Sequence, residues 1–168
     1  MNLDDFLEND ERREVQLLQL LLKAGAAGCL YTTAITTLGV SGSTMGTTVA
    51  ALQQRIRGFD AAADISVTDS GGQRCICLQT RTPVNFSELY RQLLVQSKSY
   101  RILLTLLQKG KVSADELAQL LYISKPAVFR RIKLLNQVLA AFSLQIKGGT
   151  LIGPEIALRY LYYRLLLN

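Results

Sequence analysis

The chain has 168 residues, of which 19 are basic and 13 acidic, so its formal net charge is +6, and it contains no histidine. Hydrophobic residues make up 49% of the sequence, which is enough for a core and excludes a chain that is disordered throughout. No apolar run reaches the roughly 18 residues of a membrane span, and the acidic start is unlike a signal peptide, so we expect a cytoplasmic protein.

The first half predicts three helices followed by a β-hairpin. The helices are expected at about residues 11–24, 31–38 and 43–57, the first capped by Asp10 and the third by Ser43. Alternating apolar residues at 65–68 and 75–78 flank Asp69-Ser70-Gly71-Gly72, which is typical of a hairpin turn. This order of elements is the plan of a winged helix.

The three cysteines are interpreted as structural. Cys75 and Cys77 lie two residues apart in a predicted strand, which puts both thiols on one face, while Cys29 is distant in sequence. Without a secretory context a disulfide framework is not expected, and a Cys-x-Cys pair without histidine is a poor zinc pattern. Histidine is also the commonest general base. We therefore expect no metal, no cofactor and no enzymatic activity.

A linker is predicted at residues 79–85, where Pro83 stands among polar residues, so the chain divides into domains at 1–82 and 83–168. The second half repeats the plan of the first. Its helices are expected at about 86–97, 99–109, 114–121 and 124–142, its hairpin at 144–152 around Lys147-Gly148-Gly149, and a strongly apolar helix at 155–167. The predicted fold class is mainly α with small β-hairpin wings, arranged as tandem winged helix-turn-helix domains.

The segment from Ser113 to Asn136 predicts a helix-turn-helix. Ser113 and Glu116 have the spacing of a capping box, Ser124 caps the next helix, and Pro126 is tolerated in its first turn. One continuous apolar set joins the two helices: Leu117, Ala118, Leu121, Ile123, Val128, Ile132 and Leu135. This arrangement leaves the second helix, at about residues 124–140, free to enter the major groove of DNA.

The helical period places a mostly basic set of side chains opposite that apolar set. The predicted DNA-binding residues are Ser124, Lys125, Pro126, Phe129, Arg130, Arg131 on the flank, Lys133, and Lys147 at the tip of the wing. A helix N-terminus with Ser124 can bind a phosphate, Arg130 can pair with the edge of a guanine, and Phe129 can pack on a thymine methyl. The alternatives are a merely solvated basic face, or a slightly rotated helix with Phe129 in the core.

The first half offers weaker candidates. Its third helix begins Ser43-Thr44-Met45-Gly46-Thr47-Thr48 and has no positive charge before Arg55. Ser43, Thr44, Thr47 and Thr48 are secondary DNA-binding candidates, because hydroxyls contact phosphates or bases but add little electrostatic affinity. The alternative for this half is a packing or protein-contact module.

Charge is distributed unevenly between the halves. Residues 1–84 hold seven basic against nine acidic residues, whereas residues 85–168 hold twelve against four. Because neutralisation of phosphates drives non-specific affinity for nucleic acid, the second half is the part expected to bind DNA.

Three segments of the second half carry a family resemblance over about residues 86–165. They read LAQLLYIS at 117–124, RRIKLLNQVL at 130–139, and LIGPE at 151–155 followed by Arg159 and tyrosines. In this order they resemble the Mga/AtxA family of bacterial transcriptional regulators. The resemblance implies two N-terminal domains that bind promoter DNA and activate transcription. It places Lys125, Pro126, Phe129, Arg130 and Lys133 at recognition-helix positions.

Members of that family continue into regulatory domains that resemble sugar-phosphotransferase domains and carry phosphorylatable histidines. Since this chain has no histidine, we expect either an N-terminal fragment that lacks C-terminal regulatory domains or a short relative. The last predicted helix is apolar on more than one face, which indicates a covering partner, either a missing domain or a second subunit.

The main prediction is a sequence-specific regulator that binds double-stranded DNA, and by the resemblance an activator. The alternative is a tandem winged-helix module that binds other proteins and does not touch DNA, which the acidic first half favours. RNA binding is disfavoured, because A-form RNA hides its major groove from a recognition helix.

Overall fold

The computed structural model describes residues 1–59 and 63–167. The chain is mainly helical, with two small antiparallel sheets. It divides into a first unit, Asn9–Leu93, and a second unit made of Met1–Glu8 together with the chain from Leu94 onward. Within the described residues, no helix combines the length and the apolar character that crossing a membrane requires.

The first unit consists of helices and a three-stranded sheet. In chain order its elements are α1 (Asn9–Ala24), β1 (Cys29–Leu30), α2 (Tyr31–Leu38), α3 (Gly42–Gly58), β2 (Ala63–Ser70) and β3 (Gln73–Thr80). The antiparallel strands lie in the order β1-β3-β2. The predicted helices and hairpin are confirmed, and β1 is an addition. Gly28 precedes it so close to β3 that a side chain there would clash with the Cys77 thiol and the Ile76 carbonyl.

The predicted N-caps of the first unit are wrong. Ser41, not Ser43, caps α3, and its hydroxyl accepts the N–H of Thr44 at 3.1 Å. Helix α1 begins at Asn9, so Asp10 lies inside the first turn, where its carboxylate accepts the N–H of Glu11 at 3.0 Å. Several residues able to cap stand next to one another here, and extended backbone at Ser41 decides which of them does.

The cysteines occupy the positions that strand alternation predicts. The thiols of Cys75 and Cys77 are 4.0 Å apart on one face of β3, and all three cysteines are free. Burial raises the pKa of Cys29, and burial together with the neighbouring thiol of Cys77 raises the pKa of Cys75. Thiols held in their neutral form are poor nucleophiles, in keeping with a structural interpretation.

The second unit contains α5 (Lys98–Lys109), α6 (Ala114–Leu121), α7 (Lys125–Leu139), β4 (Gln145–Lys147), β5 (Thr150–Ile152) and α8 (Glu155–Leu166). The boundary between the units falls within the preceding helix α4 (Phe86–Gln96). Helix α7 ends three residues before the predicted Phe142, and residues 140–142 form a 3-10 turn instead. The hydroxyl of Tyr100 donates to the carbonyl of Leu165, which ties α5 to α8.

Residues 1–8 belong to the second unit, although the boundary predicted from the sequence places them in the first domain. They form a 3-10 turn at Leu3–Phe6 that contacts α7. Leu3, Phe6 and Leu7 are buried. This segment therefore supplies part of the hydrophobic core around α7.

A pair of helices joined by a short turn occurs in both units, at a constant offset of 83 residues. Tyr31 begins α2 as Ala114 begins α6, and Ser41 caps α3 as Ser124 caps α7. The main inward side chains also correspond: Met45, Val49, Leu52 and Ile56 match Val128, Ile132, Leu135 and Leu139. In the first unit β1 pairs with β3, and in the second Lys111 forms an isolated bridge with Thr150 of β5.

The side chain of Asn136 ties α7 to the hairpin of the second unit. Its amide nitrogen donates to the carbonyl of Ile146 at 3.0 Å, and its carbonyl oxygen accepts the N–H of Ile146 at 2.7 Å. The hairpin turn Gly148–Gly149 has positive φ at both residues. A side chain at Gly149 would clash with the carbonyl of Val112. These contacts fix the position of the hairpin relative to α7.

We expect Asn136→Ala to lower the free energy of unfolding by about 1–3 kcal/mol, because it leaves two backbone groups of Ile146 without their partners. Chemical denaturation followed by circular dichroism measures this loss. Gln137→Ala, an exposed change on the same helix, should cost less than about 0.5 kcal/mol. Equal stability of the two variants would contradict the structural role of Asn136.

A buried carboxylate in the first unit gives its stability a pH dependence. Glu14 is 2% exposed, and its Oε2 lies 2.9 Å from Nε of Arg55. Burial raises the pKa of Glu14 to about 7, against the opposing effect of Arg55. The folded state therefore favours the neutral acid, and this contribution to stability is lost as the pH rises from the ordinary glutamate pKa through about 7.

We expect the free energy of unfolding to fall by about 2–3 kcal/mol between pH 5 and pH 8 on account of Glu14. Glu14→Gln, which keeps a neutral group of the same shape, should flatten this part of the pH profile. Glu88→Gln, an exposed change in the same unit, should keep the wild-type slope. Thermal unfolding at a series of pH values measures both, and a wild type whose stability rises across this window would disprove the assignment.

Candidate nucleic-acid interface

Local hydrogen bonds fix the starts of α6 and α7. The hydroxyl of Ser113 accepts the N–H of Glu116 at 3.1 Å, and the carboxylate of Glu116 accepts the N–H of Ser113 at 3.0 Å, so the predicted capping box is confirmed. That hydrogen bond from Ser113 lowers the pKa of Glu116. At the start of α7, Ser124 accepts the N–H of Ala127 at 3.4 Å, and Pro126 lies in the first turn.

One face of α7 is buried and the opposite face is exposed. Val128, Leu135 and Leu139 are buried. The exposed face carries Ser124, Lys125, Pro126, Phe129, Arg130 and Lys133. Phe129 has 55% of its surface exposed, so the rotated helix with Phe129 in the core is not what the structure adopts. Six of the predicted contact residues are therefore brought together on one surface.

Lys125 lies at the start of this surface and makes a local ion pair. Its Nζ is 2.8 Å from Oδ2 of Asp115, and both side chains are largely exposed. Exposed pairs of this kind contribute at most about 1 kcal/mol. A stronger anion can therefore displace Asp115 at little cost, and Lys125 remains available to a partner.

Arg131 does not belong to this surface. Its Nε lies 2.9 Å from Oε1 of Glu8, and only 12% of the side chain is exposed. The guanidinium is thus engaged by the N-terminal segment of its own unit, which sets it apart from the exposed DNA-binding candidates of α7. Glu8 is far away in sequence, so helical period alone gave no indication of this ion pair.

The hairpin of the second unit borders the exposed face of α7. Lys147 is exposed and ends β4 beside the turn, as predicted. A groove of about 530 Å³ separates the hairpin from the two helices, lined among others by Lys111, Lys125, Phe129 and Gly148. Lys111 was not among the predicted contact residues, although its position in the basic half, just before α6, could have suggested it. Lys111 and Lys125 thus line this groove together with Asp115, the ion-pair partner of Lys125.

The corresponding helix of the first unit, α3, exposes a different surface. At the constant offset, it has Gly46, Thr47 and Ala50 where α7 has Phe129, Arg130 and Lys133. The two helices share the buried spacing but not the chemistry of the exposed face. The basic and aromatic groups of α7 are therefore not required by the shared architecture.

The secondary candidates on α3 are only partly accessible. Ser43 and Thr47 are exposed, and the hydroxyl of Thr47 donates to the carbonyl of Ser43 at 3.2 Å. The hydroxyl of the half-buried Thr44 is 2.9 Å from that of Ser41. Thr48 is buried and donates to the carbonyl of Thr44 at 2.8 Å, so its hydroxyl is not on the exposed surface of α3. Its position on the helix matches that of Arg131.

A family model described as the Mga helix-turn-helix domain matches residues 83–166. None of the curated proteins compared with the chain matches it. Among solved structures, the chain is similar to the crystal structure of ScpB from Mycobacterium tuberculosis, with 15% identity and a TM-score of 0.36 over 92% of this chain and 97% of that chain. Since the family model spans half of the sequence and contains the whole of α6, α7 and the second hairpin, the chain belongs to the Mga helix-turn-helix family.

Proposed function

We propose that the chain is a sequence-specific regulator of bacterial transcription, an activator that binds double-stranded promoter DNA in the cytoplasm. Membership in the Mga helix-turn-helix family supports a DNA-binding regulator. The observation that carries the proposal is the exposed face of α7. Lys125, Arg130 and Lys133 surround an exposed phenylalanine there, and the opposite face of the helix is buried.

In this proposal α7 lies in the major groove and the hairpin acts as a wing. Arg130 donates to O6 and N7 of a guanine, and Phe129 packs on a thymine methyl. The hydroxyl of Ser124 and the backbone N–H of Lys125 hold a phosphate at the start of α7. Lys147 contacts the flanking backbone, and Lys111 is placed for a further phosphate in the groove beside the wing.

The first unit supports α7 in a secondary role. The shared offset of 83 residues and the matching buried positions support a tandem arrangement of winged helix-turn-helix domains. Ser43 and Thr47 on α3 are available for phosphate contacts, but this helix has no cation before Arg55. The first unit therefore adds contacts to a complex whose electrostatic affinity comes from the second.

We also propose a homodimer in which α8 takes part. Ile156, Tyr160 and Tyr163 are exposed on this helix, and an apolar groove of about 430 Å³ between α5 and α8 is lined by Leu107, Leu158 and other side chains. A dimer places two recognition helices about one turn of duplex apart, or a multiple of it. The two recognition helices would then bind the two half-sites of one operator.

We expect Arg130→Ala combined with Lys133→Ala to weaken DNA binding by more than tenfold and to leave folding intact, because both side chains are exposed. Binding is measured by fluorescence anisotropy on a duplex selected from a random pool, at several salt concentrations. For every phosphate that a removed cation had neutralised, the slope of log affinity against log salt should become shallower by about 1. Arg91→Ala, which removes an exposed cation from α4, is the matched control and should bind as the wild type does.

Either of two results would contradict the proposal. Wild-type affinity in the double variant would remove α7 from the interface. Failure of the wild type to bind any duplex at low salt would favour the module that binds other proteins.

The homodimer is tested by multi-angle light scattering over a wide range of protein concentrations. We expect a mass of twice the 18.6 kDa chain at high concentration. Tyr163→Glu should shift the equilibrium to the monomer, because a charge cannot be buried unpaired in an apolar interface. A wild type that is monomeric throughout would rule the dimer out.

A further inference from the structure

Tyr122 occupies the turn of the second helix-turn-helix in an unusual way. Its side chain is 91% exposed, the most of the large apolar side chains among the described residues. Its backbone is left-handed, with φ 53° and ψ 46°. Among the described residues other than glycine, only Tyr122 and Ser143 have a positive φ. Left-handed backbone is strained for a residue with a side chain, so Tyr122 costs stability where it stands.

The turn itself does not require a tyrosine. The N–H of Tyr122 donates to the carbonyl of Gln119 at 3.3 Å, and the N–H of Ile123 donates to that of Ala118 at 3.1 Å. This is a Schellman motif, in which the left-handed position usually holds glycine. The first unit has the same motif at the same offset, and there the position is Gly39, with φ 64°. Folding therefore explains neither the aromatic ring nor its exposure.

Tyr122 lies beside the N-terminus of α7. It stands two residues before the cap Ser124, so its Cα is within about 7 Å of the Cα of that serine. Nη2 of Arg101 donates to the carbonyl of Leu120 at 3.3 Å, which steadies the end of α6 and brings a cation to the turn. An exposed hydroxyl in this positive neighbourhood is suited to an anionic oxygen.

We infer that Tyr122 is a DNA-backbone contact, whose hydroxyl donates a hydrogen bond to a phosphate that flanks the base pairs read by α7. This inference rests on the proposed function. The strained backbone is kept because it projects the ring out from the turn, beyond the reach of the shorter side chains of Ser124 and Pro126. A phosphate contact fixes the register of α7 in the groove and carries no sequence preference of its own.

Tyr122→Phe and Tyr122→Gly separate the hydroxyl from the ring and from the backbone. Binding to the selected duplex and to a random duplex is measured by fluorescence anisotropy at several salt concentrations. For Tyr122→Phe we expect a loss of about tenfold, equal on both duplexes. The salt slope should stay that of the wild type, because a neutral hydroxyl neutralises no phosphate and so releases no counterion. Tyr122→Gly should lose at least as much affinity, with a melting temperature no lower than that of the wild type.

The controls keep this inference separate from the proposed function. Tyr90→Phe makes the same chemical change at a tyrosine of α4 that stacks on Phe86 and belongs to neither proposed interface, so it should bind as the wild type does. If Arg130→Ala weakens binding but Tyr122→Phe does not, the Tyr122 contact is overturned and the proposed function stands. A loss confined to the selected duplex would overturn the phosphate contact in favour of a base contact. If the wild type binds no duplex at all, the proposed function itself fails.

Discussion

The buried packing between α6 and α7 is the constraint on which the candidate interface depends. Leu117 and Leu121 on one helix and Val128 and Leu135 on the other are all buried, and they fix which face of α7 is left for solvent. Once that face is fixed, the capping box, the Schellman turn and the bridge from Asn136 to the hairpin place the remaining elements around it. A substitution within this packing would move the whole surface, whereas a substitution on the exposed face changes only its chemistry.

A comparison of the two units shows, within one chain, that the chemistry of the exposed face can change while the buried packing stays the same. In both units the helix before the turn has eight residues, one residue of the turn has a left-handed backbone, and a serine caps the helix that follows. They differ where folding makes no demand, since small and hydroxylated residues stand on α3 where α7 is basic and aromatic. The same scaffold thus carries one surface suited to a polyanion and one that is nearly uncharged.

Local interactions could be predicted from the sequence, and distant ones could not. The helical period predicted the buried and exposed sides of α7, and the spacing of Ser113 and Glu116 predicted the capping box. Both features depend only on residues within one or two helical turns of one another. The strand β1 was missed because two residues are too short to show alternation. The ion pair of Glu8 with Arg131 was missed because its partners lie far apart in the sequence. The role of Asn136 depends on the backbone of a strand ten residues later, which no side-chain pattern reveals.

The membership of residues 1–8 in the second unit has a consequence for the order of folding. The first unit is inserted into the second, so the segment that precedes the first unit in the sequence contacts α7, which follows that unit. Contacts of such long sequence separation form slowly, because the chain must close a large loop before they contribute. On the ribosome the first unit can fold while the second is incomplete. Leu3 and Phe6 must then remain unburied until α7 emerges, which makes the docking of this short segment against α7 a late step in folding.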